Sequence, residues 1–199
     1  AWKQAWSMDP VTGKQIPIQL EQKGRRITMD VQPSETRLLI LGQKSASTQA
    51  PKRWEQGPTH TIQGPWTLRW TGGEKAKSTT IEHLKDWTEI PGLSSFAGTV
   101  TYHTWFEIKD PQASYQLHIP NLRESADVFV NNHYQGTLWT EPYQTILSRG
   151  LTKGKNALRL QVVNLAANRI REMDRRGIDW KKFFFVNIDY KPFDASQWD

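Results

Sequence analysis

Four carboxylates, Glu107, Glu124, Asp127 and Glu141, are the side chains of this sequence best suited by type to acid–base chemistry. Cleaving a glycosidic bond takes two carboxyl groups facing each other across a sugar, at a separation fixed by the stereochemical course. Glu124 and Asp127 stand three residues apart at the start of a strand-like run, and in a strand that spacing sends side chains to opposite faces. No Glu-x-Asp-x-Glu ladder, which would line three carboxylates along one face, occurs in the chain. His60, His83, His103, His118 and His133 are dispersed, without the close spacing of zinc ligands. No Gly-x-Ser-x-Gly elbow raises a nucleophile, and no glycine-rich loop is built to cradle phosphate. The chain has no cysteine, which excludes disulfides, thiolate catalysis and cysteine-bound metal. The inventory argues against a self-contained catalytic centre.

The elements that must position any site are strands. Between Leu122 and Asn164, Ala126, Val128 and Val130 alternate with Asp127, Phe129 and Asn131, the period-2 pattern of a half-buried strand. Asn131-Asn132 is a tight-turn signal, because Asn tolerates positive φ at little cost. A second strand leads through Gly136 to Trp139, and a third alternates Leu158, Leu160 and Val162 after the turn Lys153-Gly154-Lys155-Asn156. Upstream, Trp66, Leu68 and Trp70 alternate until Gly72-Gly73. A Pro91-Gly92 turn precedes a long strand with Val100, Tyr102, Thr104, Phe106 and Ile108 on one face and Thr101, His103, Trp105 and Glu107 on the other. Asp110-Pro111 turns into Tyr115, Leu117 and Ile119. After Asn164, Ile170 and Met173 have helical spacing, Gly177 stops the helix, and Phe183–Ile188 reads as a strand. Many short strands with turn signals and almost no helix predict an all-β sandwich or barrel.

Residues 1–43 predict a strand–turn–strand–turn–strand meander, with Ile16, Ile18 and Leu20, then Ile27, Met29 and Val31, then the run Leu38–Leu41. Three strands are too few to stand alone, so they dock on something else or end a β domain that begins upstream. Residues 44–61, rich in Ser, Thr, Gln and Pro, have linker composition. Ten Trp, seven Phe and five Tyr supply large apolar surface to a chain only 37% hydrophobic. The tryptophans fill the core or, in part, offer exposed platforms for sugar rings. A net charge of +6 suits an acidic partner (a pectin-type polysaccharide, nucleic acid or an anionic surface) or simply a solvated basic surface. Neither a basic stripe nor a known reader module is visible, which argues against nucleic acid. No apolar run approaches bilayer length. The start at Ala1 lacks a signal-peptide pattern, as expected of a mature or excised piece.

One ordered set of motifs carries a family likeness: Gly64-Pro65-Trp66, Leu84…Asp86-Trp87, Phe96–Tyr102, Arg123–Asn131, and Gly136–Trp139 with Pro142-Tyr143. In this order they resemble the galactose-binding-like jelly roll known as the sugar-binding domain of glycoside hydrolase family 2. The likeness is greater to the C-terminal region of family 106 α-L-rhamnosidase-type, pectin-degrading enzymes, which Ala167–Arg171 and Phe193–Trp198 also resemble. Trp6…Asp9–Lys14 and Val31–Glu35 are similar to the last strands of the β domain that precedes this module in those enzymes. Relatives continue past the point matching Asp199 into a closing strand.

The resemblance implies three segments: 1–43, the terminal strands of a preceding β domain; 44–61, a linker; and 62–199, a galactose-binding-like jelly roll lacking its closing strand. It implies a non-catalytic carbohydrate-binding or architectural module of a larger, periplasmic or extracellular glycoside hydrolase acting on rhamnose-containing pectic polysaccharide. Its partners would be that glycan and the enzyme's upstream domains. Two other readings stand beside it: a module lending a loop to the parent's active site, and a basic interaction domain. Sugar contacts are expected from Arg123 and Glu124, from Trp139 and Tyr143, and from Asn168 and Arg169. The arginines suit uronate carboxylates through bidentate hydrogen bonds. Structural alternatives are an Arg123–Glu124 ion pair, core packing of Trp139, and helix capping by Asn168. No cofactor is implied; structural Ca²⁺ is common among such folds, but no Asp-rich loop identifies a site.

Overall fold

The computed structural model describes residues 1–10, 13, 15–29, 31, 35–42, 57–72 and 75–180. The expected strand over 183–188, the closing motif 193–198 and most of the linker lie outside the described residues. The chain divides into two compact units, Ala1–His60 and Thr61–Asp199.

In the first unit, β1 (Gln4–Met8) is the centre of a three-stranded antiparallel sheet, flanked by β2 (Gln15–Ile18) and β5 (Leu38–Gly42). β3 (Leu20–Glu21) and β4 (Arg26–Ile27) form a separate small hairpin. The simple meander is therefore corrected. The first predicted strand meets the middle one only at its end, where Leu20 faces Ile27; residues 15–18 and 38–42 pair instead with Gln4–Met8, where Ala5 faces Ile18 on one side and Leu41 on the other. Pro17 lies inside β2, which is tolerated because β2 is an edge strand. Gly24 is required: at φ 77° it brings its amide region against the Trp2 carbonyl, where an added Cβ would stand 1.9 Å from that oxygen.

The second unit bears out the all-β sandwich. Its main sheet is antiparallel and six-stranded, in the order β11-β10-β13-β8-β6-β7. The ranges are β6 Trp66–Gly72, β7 Lys75–Ile81, β8 Thr99–Ile108, β10 Ser125–Val130, β11 His133–Leu138 and β13 Gly154–Val163. A two-stranded sheet, β9 (Tyr115–His118) with β12 (Gln144–Leu147), packs Tyr115, Leu117 and Leu147 against its inner face. The inner face is the predicted one: Leu68, Val100, Val128, Val130, Leu158 and Leu160 are all buried. Each such side chain contributes roughly 1.5–3 kcal/mol through removal from water. Trp66, Trp70 and Trp87 join this core, and the Trp87 indole N–H donates to the Tyr102 hydroxyl at 2.6 Å. β7, which the sequence reading did not foresee, is an exposed edge carrying Lys75 and Lys77, charges that discourage pairing with a foreign strand.

Two asparagines fasten one end of this sandwich. Asn131 and Asn132 take the positive φ of a tight hairpin turn between β10 and β11. Asn131 donates from Nδ2 to the Gly150 carbonyl and to Asn156 Oδ1, and accepts from the Ala157 N–H. Asn156 is fully buried; its Nδ2 donates to the carbonyls of Thr152 and Gly154, and its Oδ1 accepts from the Thr152 N–H. The turn end is closed by polar groups that satisfy one another, as burial demands.

Candidate functional site

The opposite end is where loops gather. β10 begins there and β11 ends there, with Ala126 opposite Leu138. β13 ends and β8 begins there, with Val163 opposite Thr99, and β6 runs out beside them with Trp70 opposite Val100. The Glu124 N–H donates to the Val163 carbonyl at 3.0 Å, which ties the approach to β10 to the exit of β13. Asn164 then clamps the loop before β8: its Oδ1 accepts from the Gly98 N–H and its Nδ2 donates to the Phe96 carbonyl, both at 3.0 Å.

All six expected contact residues lie on connections at this end. Arg123 and Glu124 are exposed, joined by a cis peptide bond, and form no ion pair with each other. Trp139 follows β11 with 56% of its surface exposed, so it is not a core side chain. Tyr143 is half-buried, packed on the core, and its carbonyl accepts from the Ile119 N–H. Asn168 and Arg169 fall in the first turn of α1 (Ala167–Arg175). The N-cap is Ala166, without a side-chain cap bond, so Asn168 does not cap the helix.

Only Arg169 of the six lines the cleft at this end, a space of about 480 Å³, within the roughly 300–1,000 Å³ usual for ligand sites. Its walls are Thr71 at the end of β6, Ser95–Ala97 from the clamped loop, and Glu172, Met173, Arg176 and Ile178 from α1 and its exit. The helix exit explains the last of these. Gly177, at φ 64°, lets the Ile178 N–H reach the Met173 carbonyl and the Gly177 N–H reach that of Asp174. This paired closure returns Ile178 beside Met173, giving the cleft an apolar patch. Glu172 is held by Arg176 at 2.6 Å, whereas Arg169 forms no ion pair among the described residues. The sequence showed that a helix was present but not which loop it would lie against, so the cleft was not legible there.

Beside the cleft, Asp86 caps the 3-10 turn Trp87–Glu89, accepting from the Thr88 hydroxyl and N–H. These two bonds, aided by the Arg171 charge and opposed by burial, hold its carboxyl below the usual range. Glu107 and Glu124 stand too far apart to act as a catalytic pair. Glu107 lies opposite Lys155 at the turn end, whereas Glu124 binds Val163. Eight residues of strand separate those points, roughly 27 Å, against about 5–9.5 Å between glycosidase carboxyls. Asp127 lies on the outer sheet face and accepts from the Thr137 hydroxyl. Among the described residues no group of three or more His, Asp or Glu is placed to hold a metal ion.

No protein-family model matches the sequence. Among solved structures, the chain is similar to a rhamnosidase from Novosphingobium sp. PP1Y, with a TM-score of 0.74 and 23% identity over 96% of this chain and 20% of that one. At that identity the likeness establishes the fold, which is that of one segment of the rhamnosidase. A GH2 β-galacturonidase from Eisenbergiella tayi is similar over 55% of the chain at 19% identity, with a TM-score of 0.44 that carries no argument. A curated protein of Formosa agariphila, provisionally named a β-glucuronidase, is 26% identical over 108 residues, which is 51% of this chain and 9% of that protein. The chain thus spans about a fifth or less of the length of the proteins it matches.

Proposed function

We propose that this chain is a non-catalytic, carbohydrate-binding or architectural module of a larger glycoside hydrolase acting on rhamnose-containing pectic polysaccharide. The observation that carries this reading is the likeness of 96% of the chain to one fifth of a rhamnosidase. The wide separation of Glu107 and Glu124 supports a role without its own acid–base pair. Sugar would bind at the loop end. The exposed Trp139 ring offers an apolar face to sugar C–H groups, Arg169 offers donors at the mouth of the cleft, and Arg123 lies on a neighbouring connection. Upstream domains of the same enzyme are its partners in this reading, and the periplasm or extracellular space is its location. No helix among the described residues is long and apolar enough to cross a membrane.

Titration calorimetry with rhamnogalacturonan oligosaccharides, read together with tryptophan fluorescence, tests the binding role. Trp139→Ala and Arg169→Ala should each weaken binding at least about tenfold, equivalent to roughly 1.4 kcal/mol. Saturating oligosaccharide that gives no heat and leaves the fluorescence unchanged would exclude sugar binding at this end and leave the architectural role.

A further inference from the structure

The outer face of the six-stranded sheet is built unlike an ordinary solvated surface. Register places Tyr134, Phe129, Arg159, His103 and Thr67 in one row across five strands. The adjoining row holds Thr137, Asp127, Gln161, Thr101 and Arg69. The Arg159 guanidinium lies 3.6 Å from the Phe129 ring centroid, and Phe129 packs on Tyr134, so this cation sits over an aromatic pair. Further along, Lys155 Nζ lies 4.6 Å from the ring centroid of Trp105, which is 56% exposed. Neither Arg159 nor Arg69 has an ion-pair partner among the described residues. Partial burial first, and then the charges of Arg69 and Arg159, lower the pKa of His103 from the ordinary 6.5, so the outward-facing imidazole is neutral at pH 7. Two carboxylates share this face: Asp127, bonded to Thr137, stands beside Gln161 in the second row, and Glu107 faces Lys155, four residues along β8 from His103.

Two unpaired guanidinium groups on one flat face call for planar anions, which Arg recognises in bidentate fashion. The groups between them (Thr67, Thr101, Gln161 and neutral His103) are uncharged donors and acceptors, suited to hydroxyls. Nucleic acid fits poorly, because proteins that bind it strongly neutralise on the order of 6–10 phosphates and stack bases on bare rings, whereas Phe129 and Trp105 are already covered by cations. We infer that this outer face is a second glycan-binding surface, in which Arg69 and Arg159 take the carboxylates of an acidic polysaccharide and His103, Thr101 and Gln161 take its hydroxyls. The site lies on the sheet face, and it stands or falls separately from binding at the loop end.

Affinity electrophoresis of the full chain in gels containing polygalacturonate, neutral galactan or neither tests it. Polygalacturonate should retard the protein and neutral galactan should not. Combined Arg69→Gln and Arg159→Gln should weaken retardation at least tenfold, with Arg159→Lys alone partly retaining it and the edge-strand charge change Lys75→Gln altering it less than twofold. Melting temperatures within a few degrees of the parent confirm that the variants fold. Retardation unchanged in the double variant, or lost in Arg169→Ala instead, would overturn the surface and assign acidic glycan to the loop end. No retardation by polygalacturonate, equal retardation by galactan, or tighter binding of single-stranded DNA would overturn it equally.

Discussion

Consecutive residues on the two faces of the six-stranded sheet lead separate lives. Leu68, Tyr102 and Leu158 point inward and are buried, while their immediate successors Arg69, His103 and Arg159 point outward. Pleating alone makes this division, since successive side chains leave a strand on opposite sides. The inner face answers to one requirement, removal of apolar surface from water, and is filled by Leu, Val and Trp. The outer face has no such requirement, yet it is not filled at random. It carries aromatic rings beneath cations, and two guanidinium groups, those of Arg69 and Arg159, that form no ion pair among the described residues. The comparison teaches that the inner face specifies the fold, whereas the outer face is free to specify what the fold touches.

The largest test of that division is a pair of neighbouring truncations. Leu158→Ala should lower unfolding free energy by about 3 kcal/mol, through lost burial and a cavity among Val128, Val130 and Leu160. Arg159→Ala, one residue on, should cost less than about 1 kcal/mol, the value of its contact with Phe129. Urea unfolding of both variants measures the contrast. Equal losses would mean that the outer face is part of the folding core. Next in size is Asn156→Ala, which strips partners from the Thr152 and Gly154 carbonyls and from Asn131. It should cost about 2–3 kcal/mol while leaving polygalacturonate retardation unchanged, because the turn end serves structure alone. A smaller loss, about 1–2 kcal/mol, is expected for Tyr102→Phe, which leaves the buried Trp87 N–H without its acceptor.

How far the sequence carried each feature follows from where the signal lies. β8, β10 and β13 were legible because one face is buried and the other is not, so alternation is strong, and Asn131-Asn132 marks the hairpin into β11. β7 was not legible: Lys75–Ile81 is mostly exposed, so no apolar alternation distinguishes it from a loop. β1 failed for the opposite reason. Gln4, Ala5 and Ser7 are all buried, so small and polar residues occupy both faces and the period-2 signal vanishes. Without β1 the pairing of the first unit could not be foreseen, because register depends on the partner strand. In the loop end, the exposure of Trp139 contradicts the usual fate of a tryptophan in a chain so rich in them, and only the hairpin geometry reveals it. The outer-face arginines belong to no sequence motif. Their grouping arises from strand order, which sets residue 159 beside 103 and residue 69 one row along on the next strand.

The smallest effect belongs to His103, and it probes the outer face without any ligand. Partial burial, first, and then the charges of Arg69 and Arg159 lower its pKa from the ordinary 6.5. In the unfolded chain the imidazole takes up a proton near that ordinary value, while in the fold it resists. Below pH 6.5 the unfolded state therefore binds more protons, so stability falls as pH drops from 6.5 through the lowered native value and is intact above it. His103→Gln should flatten this part of the stability–pH curve by a modest amount, because the ring is substantially exposed to screening solvent. The sharper reading is the titration of the ring itself, followed by proton–nitrogen NMR. Removing both guanidinium groups, as Arg69→Gln with Arg159→Gln, should move the His103 midpoint up toward 6.5 without restoring it fully, since burial remains. A midpoint indifferent to that double change would mean that the two arginines do not share one field with His103, and the outer face would revert to a surface of separate, solvated charges.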